Sequence, residues 1–101
     1  MARIPSGRET ALVRSILRAL EKAPGVAVRK RHGTAMGKAG DPDLSGCLNG
    51  RHFELEVKRP GNEPTPLQLV RLAEWQRAGA LVGVVHNARE ALACLGLDKE
   101  S

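Results

Sequence analysis

Apolar residues recur at three- and four-residue steps through Leu12, Val13, Ile16, Leu17 and Leu20, which predicts a helix with one stripe turned to a core. Arg14, Arg18 and Glu21 fall on its other side. Ser6 and Glu9 form a capping box ahead of the stripe, and Pro24-Gly25 ends it. The pattern then shortens. Residues 26–31 are β-branched and read as a strand that closes on Arg29, Lys30 and Arg31, whereas residues 32–40 hold three glycines and no period, and read as a loop. Two alternating runs, Asp43 to Leu48 and Arg51 to Lys58, flank Asn49-Gly50. Both central residues of a type I′ turn need φ > 0, so this dipeptide predicts a tight antiparallel hairpin.

After a turn-rich stretch from Arg59 to Pro64, Thr65-Pro66 supplies an N-cap and a proline at the first helical position. That helix runs to about Arg77 and Gly79 closes it. Ala80 to Val85 is apolar without a break and predicts a strand buried on both faces. Asn87 and Glu90 cap a short last helix through Cys94. The order is α-β-β-β-α-β-α, an α/β architecture on a mixed sheet that contains an antiparallel hairpin.

Composition narrows the function classes. The chain has 101 residues, one domain's worth, and 42% are hydrophobic. Aromatics are 2%, Phe53 and Trp75 alone, which argues against a module that stacks single-stranded bases on aromatic side chains. No apolar run approaches the length of a membrane helix, and Arg3, Pro5, Arg8 and Glu9 break up any export signal, so the expectation is a soluble protein. Cys47 and Cys94 lack metal-finger spacing, so a zinc module is excluded and both are expected as reduced thiols. Charge divides unevenly: residues 1–40 carry a net of +7 and residues 41–101 a net of −2. A basic half suits a protein that draws a polyanion to one surface.

The third strand carries the candidate chemistry. Alternation turns Phe53, Leu55 and Val57 one way and His52, Glu54, Glu56 and Lys58 the other. The plain alternative is an amphipathic strand with a solvated charged face. Counting back from the turn pairs 48 with 51, 46 with 53 and 44 with 55, which sets Asp43 opposite Glu56 on the same face. Carboxylates at about 4.5–5.5 Å across a strand pair repel each other, and a divalent cation between them removes the repulsion. Hard oxygen ligands suit Mg²⁺ or Mn²⁺. Lys58, two residues on, can balance the carboxylates, orient an attacking water or steady a developing phosphate charge. Gly33 to Lys38 lacks the spacing of a phosphate-binding loop, His32, His52 and His86 lack ligand spacing, and no Ser/His/Asp or Cys/His triad is present.

Gly40-Asp41-Pro42-Asp43-Leu44, then Glu56-Val57-Lys58, then Thr65-Pro66-Leu67-Gln68 resembles the PD-(D/E)XK nuclease superfamily, and within it the VRR-NUC family of virus-type replication-repair nucleases. The resemblance spans nearly the whole chain and implies a restriction-endonuclease-like αβββαβ core. It implies Asp43 and Glu56 as metal ligands, Lys58 as the residue that positions or activates water, and Gln68 as a buttress of the site. Val57 would add its carbonyl to the metal, and Glu9 would complete the site unless it serves only as a helix cap. Asp41 reads as a turn residue, and Glu54 as a solvated neighbour or a group supporting the ligands from behind rather than a metal ligand itself. Arg29, Lys30, Arg31 and Lys38, with Arg14 or Arg18, would hold phosphates. The expected protein is a Mg²⁺- or Mn²⁺-dependent endonuclease of branched DNA, a cytoplasmic homodimer resolving four-way junctions. A restriction- or repair-type nuclease and a non-catalytic DNA-binding module are the alternatives.

Overall fold

A computed structural model of the chain describes residues 7–31 and 38–97, with side chains from Thr10 onward. The proposed Ser6/Glu9 capping box, the side chain of Glu9 and the glycine-rich segment 32–37 lie outside the described residues. Seven elements follow in the expected order: α1 (Gly7–Glu21), β1 (Val26–Lys30), β2 (Leu44–Leu48), β3 (Arg51–Val57), α2 (Pro66–Arg77), β4 (Leu81–Val85) and α3 (Ala88–Cys94).

The strands form one mixed sheet in the order β1-β2-β3-β4, antiparallel except for the parallel β3–β4 pair. The hairpin has the register counted from its turn, with Leu44 opposite Leu55, Gly46 opposite Phe53 and Leu48 opposite Arg51. Asn49 at φ 48° and Gly50 at φ 90° supply the two left-handed positions on which that register depends. Gly46 is required for a different reason. A Cβ there would lie 2.2 Å from the Ala27 carbonyl oxygen and 2.6 Å from the Phe53 ring, so β1, β2 and Phe53 close on one another only over a bare backbone.

Partner residues in a ladder share a face, so the register divides the sheet into two surfaces. On the first, Val28, Leu44, Phe53, Leu55, Val57 and Val85 form the core with Val13, Ile16 and Leu20 of α1 and Ala91 and Leu95 at α3. On the second lie Arg29, Ser45, Cys47, His52, Glu54, Glu56, Val82 and Val84, with α2 packed over β3 and β4. This second surface departs from the plain alternative of a solvated charged face. Glu54 and Glu56 are buried rather than solvated, because α2 and neighbouring side chains close over the middle of β3.

The last strand differs too. Leu81 to Val84 are half-buried and only Val85 is fully buried, since β4 is an edge strand whose faces α2 and α3 cover incompletely. Gly83 sits under Cys94, whose Sγ would be 2.5 Å from an added Cβ. Cys47 and Cys94 are free thiols, as expected, and burial pushes the Cys94 thiol pKa up.

Helix starts follow local chemistry. The Thr65 side chain accepts from Gln68 N, and Gln68 Oε1 accepts from Thr65 N at 2.9 Å, a complete capping box with Pro66 inside it. At α3, Asn87 Oδ1 accepts from Glu90 N at 2.8 Å, while the Glu90 carboxylate turns back to His86.

Candidate active site

Three side chains come together where the β2–β3 hairpin opens. Leu44 is the last paired residue of β2, and Asp43 precedes it in a bend. There the Asp43 carboxylate accepts the Val57 N–H at 2.8 Å through Oδ2, which fixes its orientation beside Glu56. Glu56, on β3, is 2% exposed. Lys58 Nζ lies 4.0 Å from Glu56 Oε2, and its side chain is 15% exposed. The backbone of Lys58 is held as well, its N–H donating to the Val85 carbonyl at 3.0 Å so that the β3–β4 ladder runs one step beyond the strand. Val57, between the two charged residues, turns its side chain into the core.

The segment that presents Asp43 is gripped from three directions. Arg31 N–H donates to the Asp43 carbonyl at 2.7 Å, and Arg31 Nη1 donates to the Pro42 carbonyl at 2.8 Å. From α2, Arg71 Nε donates to the Ala39 carbonyl at 3.0 Å and Trp75 Nε1 donates to Asp41 Oδ1 at 3.4 Å. Leu67 of α2 packs against Gly40, where a Cβ would lie 2.7 Å from Leu67 Cγ and where φ is +84°. Glycine is thus needed at 40 both for its backbone angle and for the approach of the helix. Asp41 is the turn residue expected, its N–H donating to the Lys38 carbonyl at 3.3 Å, and it also ties that turn to α2.

Glu54 is 0% exposed, which removes the solvated alternative and leaves the supporting one of its two expected roles. Its Oε1 accepts from Arg31 Nη1 at 2.6 Å, and its Oε2 accepts from Ser45 Oγ at 2.6 Å and from Arg31 Nη2 at 3.2 Å. His52 Nε2 is 2.6 Å from the same Oε2. A carboxylate only accepts, so that nitrogen carries the hydrogen. The His52 ring stacks on Trp75 at 5.1 Å between centroids, and the Arg31 guanidinium lies 5.5 Å from the Trp75 ring centre. The hydrogen bond to Glu54 raises the Arg31 pKa, against the lowering effect of burial.

The other sequence-derived residues are dispersed. Gln68 stands in the first turn of α2 with Oε1 engaged in the Thr65 cap. Arg29, Lys30 and Lys38 are exposed, with Arg29 on the Glu54–Glu56 surface of the sheet and Lys30 on the opposite one. Arg14 and Arg18 are exposed on α1, which covers that opposite surface, so these bases do not form one patch with Arg29. Arg31 is spent on Glu54 and Pro42. The Glu9 side chain lies outside the described residues.

Sequence reasoning missed the Arg31–Glu54–His52–Trp75 group, whose members are up to 44 positions apart. A usable signal was present, since the hairpin register sets Ser45 opposite Glu54 and Cys47 opposite His52. Small and polar partners at both positions leave room for buried polar chemistry.

Among the described residues no group of three or more His, Cys, Asp or Glu side chains converges as a complete metal cage. Asp43 and Glu56 form a pair of hard oxygen donors, and a divalent cation such as Mg²⁺ takes one or two carboxylates and fills its remaining positions with water or phosphate oxygens. The donor chemistry therefore fits such an ion.

Comparison with solved structures resolves the fold's kinship. A structure described as a VRR_NUC domain superposes with a TM-score of 0.72 at 27% identity, covering 90% of this chain and 97% of the other. The chain shares the fold of that VRR_NUC domain. A second solved structure, a VRR_NUC domain protein, matches at TM-score 0.70 and 16% identity over 92% of this chain and 88% of that one, a likeness of fold. No family model and no curated protein matches the sequence itself. The mixed sheet and its helices have the restriction-endonuclease-like core that fits a nuclease fold. No helix among the described residues is long and apolar enough to cross a membrane.

Proposed function

We propose that this protein is a divalent-metal-dependent endonuclease of the VRR-NUC family that cuts branched DNA and acts as a homodimer on four-way junctions. The observation that carries the reading is the placing of Asp43, Glu56 and Lys58 at the open end of one hairpin. Asp43 and Glu56, with the Val57 carbonyl, would hold Mg²⁺ or Mn²⁺, and Glu9 is the candidate for a further ligand. When bound, the ion supplies Lewis-acid stabilisation of negative charge at the scissile phosphate.

The remaining work belongs to the chain's own groups. The Lys58 ammonium, held near Glu56 and only partly exposed, orients the attacking water and offsets charge that builds on the phosphate. Gln68 buttresses the site from the first turn of α2. Arg29 and Lys38 bind phosphates around it, and Lys30 with Arg14 or Arg18 engages a strand that passes around the α1 side. With no helix-turn-helix or finger among the described residues to read base edges, the proposed enzyme has weak sequence preference. A two-fold dimer would set two such sites on symmetric junction strands.

The test is cleavage of a labelled four-way junction with Mg²⁺ or Mn²⁺, beside linear duplex of the same sequence and the Glu56→Ala protein. Paired symmetric cuts that vanish with Glu56→Ala or EDTA are expected. Equal cutting of every substrate would replace the junction claim with a restriction- or repair-type nuclease. Binding without metal-dependent cutting would leave a DNA-binding module.

A further inference from the structure

We infer that Arg31 and Glu54 are positioning residues: their buried ion pair clamps the Pro42–Asp43 segment so that the Asp43 carboxylate is set for the metal, and Arg31 is not a ligand of DNA phosphate. The inference rests on the reading of Asp43 as a metal ligand given above.

Glu54 occupies the centre of the sheet, two residues before Glu56 on the same surface and wholly out of solvent. Carboxylates are almost never fully buried unless paired, and this one is saturated by three donors from three different strands or strand ends: Arg31 after β1, Ser45 in β2 and His52 in β3. None of those donors is a metal or a substrate group. What the group holds in place is Arg31, whose planar fork meets both carboxylate oxygens while Nη1 also donates to the Pro42 carbonyl.

Pro42 has no N–H, so its carbonyl is the one backbone group by which a neighbour can restrain it. The plane of that carbonyl is the peptide that leads into Asp43. Arg31 thus touches the Asp43 peptide from one side through Nη1 and the Asp43 carbonyl from the other through its own N–H, while Val57 N–H holds the carboxylate. Trp75 backs the arrangement by lying against the Arg31 guanidinium, against the His52 ring and against Asp41. For Arg31 to reach a phosphate, its guanidinium would have to leave Glu54 and abandon a charge in the interior. Arg29, two residues earlier on β1 and exposed, carries no such obligation.

The test uses Glu54→Gln, Arg31→Lys and the double variant Arg31→Met/Glu54→Gln, with wild type and Asp43→Ala beside them. Three quantities are measured: Mn²⁺ affinity without DNA by calorimetry, single-turnover cleavage at saturating DNA, and DNA affinity in Ca²⁺ as a function of salt. Outer partners of metal ligands typically change metal affinity or activity by about 10–100-fold. We expect a loss of that size in Mn²⁺ affinity and cleavage rate for all three variants, with partial recovery of rate at high Mn²⁺. DNA affinity and its salt slope should stay as in wild type.

Wild-type Mn²⁺ affinity with a salt slope lower by about one in the double variant would make Arg31 a phosphate ligand and overturn the inference. Lower thermal stability with unchanged Mn²⁺ affinity and rate would make the pair merely structural and also overturn it. Should Glu54→Gln fail to fold, the double variant, which buries no unpaired charge, decides by the same criteria. A wild type that cuts while the variants match it sinks the clamp alone. A wild type that neither binds Mn²⁺ nor cuts sinks the nuclease reading, and the clamp with it.

Discussion

In the proposed site Asp43 would serve structure and chemistry at once. Its Oδ2 closes the end of the hairpin by accepting the Val57 N–H, a role an amide oxygen fills equally well. Asp43→Asn is therefore expected to keep its melting temperature close to that of wild type while losing metal-dependent cleavage, as calorimetry and a cutting assay would show side by side. A large drop in stability would mean that the negative charge itself holds the bend. Gly46 makes the complementary case, in which the side chain must be absent. Gly46→Ala forces a methyl group into the Ala27 carbonyl and the Phe53 ring, and should cost about 1–3 kcal/mol of unfolding free energy in urea, as over-filling of a packed core does. Sequence showed the period that aligns Asp43, Glu56 and Lys58, since strand alternation is a local rule. It did not show that Glu54 is buried, because that depends on α2 arriving over β3 from a point further along the chain.

At the scale of the elements, helix starts were legible because caps are short-range chemistry. Thr65-Pro66 and Asn87-x-x-Glu90 stand where they were expected, and Thr65→Ala or Asn87→Ala should each cost about 0.5–2 kcal/mol in chemical denaturation. The start of α3 also predicts a pH effect. The His86 ring, followed by the His86 N–H, holds the Glu90 carboxyl pKa below its usual value of 4.5. A carboxyl with a depressed folded-state pKa contributes stability above its unfolded value, and that contribution is lost as pH falls through the folded one. Glu90→Gln should therefore lower stability slightly above about pH 4.5, leave the most acid end unchanged, and so flatten the acid limb between them. A limb as steep as that of wild type in urea titrations would remove Glu90 from the account. The fourth strand was misjudged for a reason of the same scale: an apolar run reveals that a strand is covered, not whether a neighbouring strand lies on both sides. Leu81 to Val84 are only half-buried because the sheet ends there.

At the scale of the whole molecule, the described bases of residues 1–40 divide between the two sheet surfaces. Arg29 is on the sheet surface that carries Glu56, whereas Lys30 faces the other way and Arg14 and Arg18 stand on α1. DNA bound at the site meets Arg29 and Lys38 first, and substitution of either by Ala should lower the slope of log K against log salt by about one. Removal of Arg14 should lower it only if the strand continues around α1. The proposed homodimer should run at twice the 10.8 kDa chain mass in light scattering, and a mass of one chain would confine the protein to one cut at a time.

What the sequence determined by itself is whatever is encoded over a few residues. Asn49-Gly50 forces the hairpin, the hairpin sets a register that pairs Leu44 with Leu55, and Asp43, next in the chain, takes the Val57 N–H beside Glu56 and Lys58. Only the tertiary structure decided which charges face water. Arg31 and Glu54 are 23 positions apart and lie on strands that are not neighbours, so no local period links them. They meet because β2 separates them by one strand, offers Ser45 in between and leaves the gap for Trp75 to cover. Burial is a property of what packs above a residue, and that is settled when the sheet and α2 close together.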